Sequence, residues 1–426
     1  MKQKIESILN VSGMLSLPGD KSISHRSVLF SSMAKGKSVV YNFLNSADVI
    51  SSIDCMRALG AEIEISEDKL IIYGKGRNGF VAPEKSLYAG NSGTTARLIS
   101  GILAAQNFKS EIIGDESLSL RPMKRITEPL SLMGAEIEST EGHLPLKIYP
   151  SSLHNIEYTL PVASAQVKSA LILAGIHLTE TTTIIEPLQC RNHTEVMLNI
   201  PVKKSEKGNV IEVNDSFYPE AKEYIVPADI STAAFFIVLG LISKDSELIL
   251  KNVLLNETRA GIIEVLKAMG GDIEIVDFNE VSGEKAGDLI VRSSELRNVE
   301  IPEAIVPNII DEIPILSVAG LFADGTFEIR NASELRAKES DRIKSLVENY
   351  KLLGVEVSEF PDGFSLSGEF NSSLSPVFNS FGDHRIAMTF SILSTQLENG
   401  GTIENFDSVV ISNPQFLSQL KSIAKF

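Results

Sequence analysis

"MRALGAEIEISEDKLIIYG", Met56 to Gly74, reads as the end of a helix, a glycine, and two strands joined by a turn. Gly60 suits the position just past a helix C-terminus, where a positive φ is wanted. Apolar and polar residues then alternate, pass through a turn rich in Asp and Glu, and alternate again, which is the pattern of a half-buried hairpin. The stretch returns as "LSLMGAEIESTEGHLPLKIYP" (Leu130 to Pro150), "VLKAMGGDIEIVDFNE" (Val265 to Glu280) and "YKLLGVEVSEFPDGFSLSG" (Tyr350 to Gly368), with Gly134, Gly270 and Gly354 in the glycine's place. A worn copy, "HTEVMLNIPVKKSEKGNVIEV" (His193 to Val213), has Ile200 or Pro201 there.

Upstream of each copy a short polar motif opens an apolar helix. These are "GDKSIS" at Asp20, "GNSGTTAR" at Asn91, "ASAQVKSALILA" at Ser164, "ADISTAAFFIVL" at Asp229, "IDEIPILSVAGL" at Asp311 and "GDHRIAMTFSIL" at Asp383. A spacing of roughly 70 residues is too long for a solenoid repeat and fits a small αβ subdomain. Six such units fill the chain, and the sixth has too little sequence after it to be whole. Its missing strands are expected from the N-terminus, so one domain should be built from both termini and another from the middle, three units in each. The predicted class is α/β, with domains at 1–15 plus 228–426 and at 16–227 and seams near Leu15–Pro18 and Val226–Pro227.

Composition agrees with this size. A chain of 426 residues, 43% hydrophobic and 22% charged, is expected to fold as two globular domains. The longest apolar run, Ala233 to Ile242, is about half a membrane span, and "MKQKIESILN" lacks the apolar centre of a secretory signal. No membrane association is therefore expected. Cys55 and Cys190 stand alone, and the six histidines form no i, i+4 pair, so a reduced, cytoplasmic protein without a structural metal is expected. A net charge of −16 argues against nucleic acid, while a local pocket can still hold a small anion.

The helix starts carry the chemistry. In "GDKSISHRSVLFSSMA" (Gly19 to Ala34), Asp20 is a good N-cap and Ile23, Val28, Leu29 and Met33 suit a buried face. Yet Lys21 lies in the first turn with Arg26 close behind, where the helix dipole disfavours cations. "GDHR" repeats the breach with His384 and Arg385, and "LSLRPMKR" sets Arg121 before Pro122, read as a first helical residue. For Asp229 an ordinary N-cap is reading enough. A local rule broken in equivalent places points to a site for a strongly anionic ligand. In "ELRAKESDRI" (Glu334 to Ile343), a helix would put Lys338 and Arg342 on one face, with Glu334 able to neutralise Lys338. Asp311 and Glu312 interrupt an apolar run, and a carboxylate among isoleucines and cations suits proton transfer. "NSGTTAR" offers small residues to an anion but is no P-loop, since its lysine is missing.

Taken in order, "GDKSISHR", "GNSGTTARL", "LRPM", "VASAQVKSAL", "DEIPIL", "LRAKESDRI" and "GDHRIAM" resemble the EPSP synthase family, the 3-phosphoshikimate 1-carboxyvinyltransferases of the shikimate pathway, over nearly the whole chain. The resemblance implies two inside-out α/β barrel domains of three βαβαββ-type units each, with the active site in the cleft between them. It implies transfer of the enolpyruvyl group of phosphoenolpyruvate to the 5-hydroxyl of shikimate 3-phosphate by addition and elimination. Neither organic cofactor nor metal is implied, and a monomer is the family expectation.

Carried over by motif, Lys21, Ser22, Arg26, Ser164, Gln166, Asp311 and Lys338 resemble ligands of shikimate 3-phosphate. Lys21, Gly93, Arg121, Gln166, Arg342 and Arg385 match the phosphoenolpyruvate pocket. Asp311 resembles the base that takes the hydroxyl proton, Glu339 the acid that protonates the methylene carbon, and Lys21 a catalytic cation lying between both ligands. Departures from the family pattern are Ala165 and Cys190 where serines are common, Asn413 for an aromatic residue, and a missing lysine in "VVISNPQF". The alternatives are a UDP-N-acetylglucosamine enolpyruvyl transferase, whose reactive cysteine has no counterpart in "IIGDESLSLRPM", and a non-catalytic binder of phosphorylated metabolites, which has no use for Asp311 and Glu339.

Overall fold

A computed structural model describes residues 1–66 and 69–426, so the turn of the first hairpin at Glu67–Asp68 lies outside the described residues. The chain divides into two compact units, one of Met1–Pro18, Pro227–Asn279 and Lys285–Phe426, the other of Gly19–Val226 with Glu280–Glu284. The seams fall a few residues from 15 and 227, and local bonds show why. Asp229 donates its backbone N–H to Pro18 O at 3.0 Å, which keeps Pro18 with the terminal unit. Gly19 lies so close to Asn42 that a Cβ there would stand 1.9 Å from its carbonyl oxygen. The short return at Glu280–Glu284 belongs to the central unit through a 2.7 Å contact between His193 Nδ1 and Glu284 Oε1.

The central unit holds three four-stranded sheets of one design. Their strand orders are Glu223–Ile225, Lys35–Tyr41, Lys69–Lys75, Glu62–Ile65; then Leu87–Tyr88, Ser110–Ile113, His143–Tyr149, Glu136–Thr140; then Glu157–Thr159, Thr182–Glu186, Gly208–Val213, Val202–Ser205. In each the first pair is parallel and the other two pairs are antiparallel. The terminal unit repeats the theme less regularly, with sheets of five, three and three strands. Here the N-terminal segment serves two sheets. Gln3–Ile5 pairs antiparallel with Gly401–Glu404, and Asn10–Ser16 pairs parallel with Glu247–Leu254.

Six helices run through the units: α1 (Lys21–Met33), α2 (Gly93–Ala104) and α3 (Ala165–Gly175) in the central unit, α4 (Ile230–Ile242), α5 (Ile313–Leu321) and α6 (His384–Thr395) in the other. α2 packs against α1 and α3, and α5 packs against α4 and α6. Ile23, Val28, Leu29 and Met33 are fully buried, but so is the opposite side of α1, from Ser24 to Ser27 and at Ser31 and Ser32. A helix covered on all sides must satisfy its polar groups internally. Ser24, Ser27 and Ser32 do so by donating to the carbonyls four residues back, and Ser100, Ser391 and Ser394 repeat the device in α2 and α6. Sheets outside and helices inside follow from this distribution of apolar and serine residues.

Helix ends mark the repeat. Gly60, Gly134, Gly270 and Gly354 all have positive φ, as a residue closing a helix with its N–H turned back requires. In the worn copy that position belongs to Asn199, φ 54°, rather than to Ile200 or Pro201. Its N–H reaches Val196 O at 3.2 Å and the next N–H reaches Glu195 O at 2.8 Å, as Gly60 and Ala61 bond Arg57 and Met56. Asn tolerates the left-handed region better than most side chains, so the motif survives without its glycine. Among the described residues no single helix is long and apolar enough to cross a membrane.

Candidate active site

In the central unit Asp20 caps α1 by accepting from Ile23 N at 2.8 Å, which leaves Lys21 as the first helical residue. Lys21 Nζ stands 3.2 Å from Asp48 Oδ2, so a carboxylate holds the cation at the helix start. Arg26 lies deeper, 3% exposed. Its Nε donates to Thr194 Oγ1 at 2.8 Å, Nη2 to Ser169 Oγ at 2.8 Å and Nη1 to Ser22 O at 3.0 Å, so it ties α1 to α3 as well as lying beside Ser22. Burial lowers its pKa to about 10, against the opposing field of Glu195 and Asp20, and it stays charged at neutral pH.

The start of α2 departs from the predicted geometry. Ser92, not Asn91, is the N-cap, accepting from Thr95 N at 3.1 Å. Asn91 instead accepts from Arg121 Nη2 at 2.8 Å and donates to Asp115 Oδ2 at 2.8 Å. Arg121 does not open a helix through Pro122. The next helix begins at Lys124 with Met123 in the cap position, its N–H bonded to Gly142 O at 2.8 Å. Gly93 is the first residue of α2, and a Cβ there would lie 2.7 Å from Arg97 Nη1 and 3.7 Å from Arg121 Nη1. Ser164 caps α3, accepting from Val167 N at 3.5 Å, and Gln166 follows in its first turn. Gln166 Oε1 accepts from Arg97 Nη1 at 2.7 Å and its Nε2 donates to Thr94 Oγ1 at 3.1 Å.

Two buried groups lie beside this set, of which Lys168 was not singled out from the sequence. Lys168, fully buried, lies 2.6 Å from Glu186 Oε1 and 2.7 Å from Glu195 Oε1. Burial alone would lower its pKa, but Glu195, Cys190 and Glu186 outweigh that and hold it charged. Cys190 donates both its N–H, at 2.9 Å, and its thiol, at 2.8 Å, to Glu186 Oε1. Burial pushes that thiol's pKa up, and raises the Cys55 thiol to about 12, which leaves both inert at neutral pH. A lysine in an apolar helix is the only sequence signal for the Lys168 cluster; its two carboxylates come from other elements.

In the terminal unit Asp311 gathers cations. Its Oδ1 lies 3.2 Å from Arg342 Nη1 and 3.5 Å from Lys338 Nζ, and its Oδ2 lies 3.9 Å from Arg385 Nη2. Arg385 also donates Nη1 to the Asp311 carbonyl oxygen at 2.8 Å. Asp311 does not cap α5: that place falls to Glu312, whose carboxylate accepts from Ser231 and lies 3.5 Å from both Arg259 Nη1 and Arg385 Nη1. Lys338 and Arg342 do not share a helical face. A 3-10 turn covers Ser333–Ala337, Lys338 is extended, and the helix starts at Arg342 with Asp341 as its cap. Asp341 has claimed Arg336 at 2.8 Å and Lys344 N at 3.1 Å, which closes off a continuous helix. The two cations meet at Asp311 by tertiary folding instead.

Arg342, 1% exposed, carries three carboxylates: Asp383 Oδ2 at 2.7 Å from Nε, Glu339 Oε2 at 2.6 Å from Nη2, and Asp311. Burial opposes its charge, and those neighbours more than offset the burial, raising its pKa. Asp383 caps α6 at the same time, accepting from Arg385 N at 2.8 Å. One carboxylate thus fixes the helix start and a guanidinium. Among the described residues no three His, Cys, Asp or Glu side chains converge as a metal site.

The fold is that of an enolpyruvyl transferase: the solved enolpyruvyl transferase NikO from Streptomyces tendae superposes at TM-score 0.77 over 99% of this chain and 96% of its own, at 14% identity. A solved EPSP synthase from Acinetobacter baumannii matches at TM-score 0.87 and 38% identity, covering 99% of this chain and 98% of its own. The family model for EPSP synthase (3-phosphoshikimate 1-carboxyvinyltransferase) matches residues 5–420. The 3-phosphoshikimate 1-carboxyvinyltransferase of Bacillus subtilis is 44% identical over 425 residues, 99% of either chain. The chain belongs to the EPSP synthase family. Its reaction is transfer of the enolpyruvyl group of phosphoenolpyruvate to the 5-hydroxyl of shikimate 3-phosphate, releasing phosphate.

Proposed function

We propose that the residues gathered at the helix starts carry this reaction in the roles that the resemblance implies. Lys21, Ser22, Arg26, Ser164, Gln166, Asp311 and Lys338 hold shikimate 3-phosphate, and Lys21, Gly93, Arg121, Gln166, Arg342 and Arg385 hold phosphoenolpyruvate. Both substrates are phosphorylated and one is also a carboxylate, so their mutual repulsion must be offset by several cations. Arginine suits this, since its planar fork grips carboxylate and phosphate with paired hydrogen bonds.

In the addition step the 5-hydroxyl oxygen bonds to C2 of phosphoenolpyruvate, Asp311 takes the hydroxyl proton, and Glu339 gives a proton to the methylene carbon. The tetrahedral intermediate then loses phosphate from C2, and the phosphate takes the proton held by Asp311. Glu339 takes a proton from the methyl carbon, leaving the enol ether and both carboxyl groups as they began. Three cations within 4 Å keep the Asp311 carboxylate ionised and fixed in place, and the same cations can offset the negative charge that the two substrates bring. The observation that carries the proposal is this convergence of Lys338 and Arg342, from one stretch, and Arg385, from another, on one carboxylate. The same reading takes the enzyme to be a cytoplasmic monomer that needs no organic cofactor or metal.

The test is phosphate release from purified protein given phosphoenolpyruvate with either acceptor. Release is expected with shikimate 3-phosphate and not with UDP-N-acetylglucosamine. Asp311→Ala should lower kcat by about 10²–10⁴-fold, the usual worth of a positioned acid or base, with an unchanged circular dichroism spectrum. Full activity in that variant would remove Asp311 from the chemistry.

A further inference from the structure

Arg97 lies in the second turn of α2, 7% exposed, and its guanidinium reaches two of the groups assigned above to phosphoenolpyruvate, Gln166 and Gly93, and the residue that follows a third, Arg121. Nη1 donates to Gln166 Oε1 at 2.7 Å, and Nη2 donates to the carbonyl of Pro122, the residue after Arg121, at 3.4 Å. Nη1 also occupies the space beside Gly93, 2.7 Å from where a Cβ would be. We propose that Arg97 is a positioning residue for the phosphoenolpyruvate pocket, which fixes the amide of Gln166 and the backbone that carries Arg121. The proposal rests on the site reading given above.

The amide argument is one of donor inventory. A guanidinium only donates, and an amide flipped about its last torsion would turn an NH2 group toward it. Arg97 at one end and the Thr94 hydroxyl at the other, both on α2, therefore hold the Gln166 oxygen and nitrogen in one orientation. The second lone pair of Oε1 and the second N–H of Nε2 are left in fixed directions. Arg121 is held in turn by Asn91 Oδ1 at 2.8 Å and Ser117 Oγ at 3.3 Å. Its Nη1 lies 3.7 Å from the same point beside Gly93 that Arg97 approaches to 2.7 Å. Two guanidinium groups flanking one small-residue gap repel each other unless an anion enters. A Cβ at Gly93 would press on the end of the Arg97 fork and make it shift.

Positioning makes different demands from charge alone. Lysine keeps the charge but has no planar fork to serve Gln166 and Pro122 together. Arg97→Ala is expected to raise the KM for phosphoenolpyruvate about tenfold or more, the worth of a charge-assisted hydrogen bond, while kcat changes far less. Arg97→Lys should recover little of that loss. In the double variant Arg97→Ala/Gln166→Ala the KM should rise less than the product of the single effects, because the two residues act as one unit. Restoration by lysine, or multiplicative effects in the double variant, would overturn the proposal. Gln166→Ala and Arg121→Ala assayed alone separate the two readings: if neither moves the KM for phosphoenolpyruvate, the site assignment fails rather than the role of Arg97 within it. Thermal unfolding of each variant controls for folding, and Arg97→Gln, which keeps most of the volume, replaces the alanine variant should that not fold.

Discussion

Arg342 and His25 show two ways in which a buried ionisable side chain is accommodated. Arg342 stays charged because Asp383, Glu339 and Asp311 surround it; removing one partner of such a set typically costs about 3–5 kcal/mol. His25 is fully buried with Nδ1 2.8 Å from Ser52 Oγ, and Lys21 and Arg26 are close. Burial first, then those two cations, hold its pKa well below 6.5, so it is neutral in the folded protein. Below about pH 6.5 the unfolded chain binds a proton that the native one does not, and stability falls as pH falls. Between pH 7 and 5.5 the wild type should lose about 1 kcal/mol more than His25→Gln, with a limiting slope of about 1.4 kcal/mol per pH unit. Urea midpoints at the two pH values read this directly, and parallel losses in both proteins would show that His25 does not titrate on unfolding. From sequence His25 is one more histidine without a partner, since Ser52 belongs to a different helix.

At the scale of elements, helix starts hold chemistry and helix ends hold the repeat. The starts were legible where a cap and a cation adjoin in sequence: Asp20 with Lys21, and Asp383 with Arg385, lie as the local pattern predicts. At Arg121, Lys338 and Asp311 the structure differs: the helices begin at Lys124, Arg342 and Ile313, and at Arg342 it is the Asp341 cap that sets the start. The ends were legible from glycine, apart from Asn199. Gly354 offers a clean measure of what the ends are worth. Its φ is 77°, and an added Cβ would meet nothing within 4 Å, so any cost is backbone strain alone. Gly354→Ala should therefore lower stability by about 1–2 kcal/mol, the usual penalty of the left-handed region. A chemical denaturation curve with an unmoved midpoint would show that the helix end tolerates a Cβ and that the glycine marks the repeat for another reason.

For the whole molecule, hydrogen-bond closure separates the units. Every strand of the three central sheets lies within residues 19–226, whereas the terminal unit draws Gln3–Ile5 and Asn10–Ser16 from the far end of the chain. A fragment 19–226 is expected to fold, with dispersed amide resonances in an NMR spectrum, while 227–426 without residues 1–18 should not, because two sheets would lose a strand and expose their edges. A well-folded 227–426 would show that those N-terminal strands are dispensable. The repeated hairpin, the buried helix faces and the family motifs were determined by the sequence itself, since they rest on periodicity and on residues adjacent along the chain. Only the tertiary structure decided that α1 is buried on every side, that Arg97 grips Gln166, and that Lys338, Arg342 and Arg385 meet at Asp311. Those contacts join segments tens of residues apart, where no local preference acts and only the packing of whole helices sets the distance.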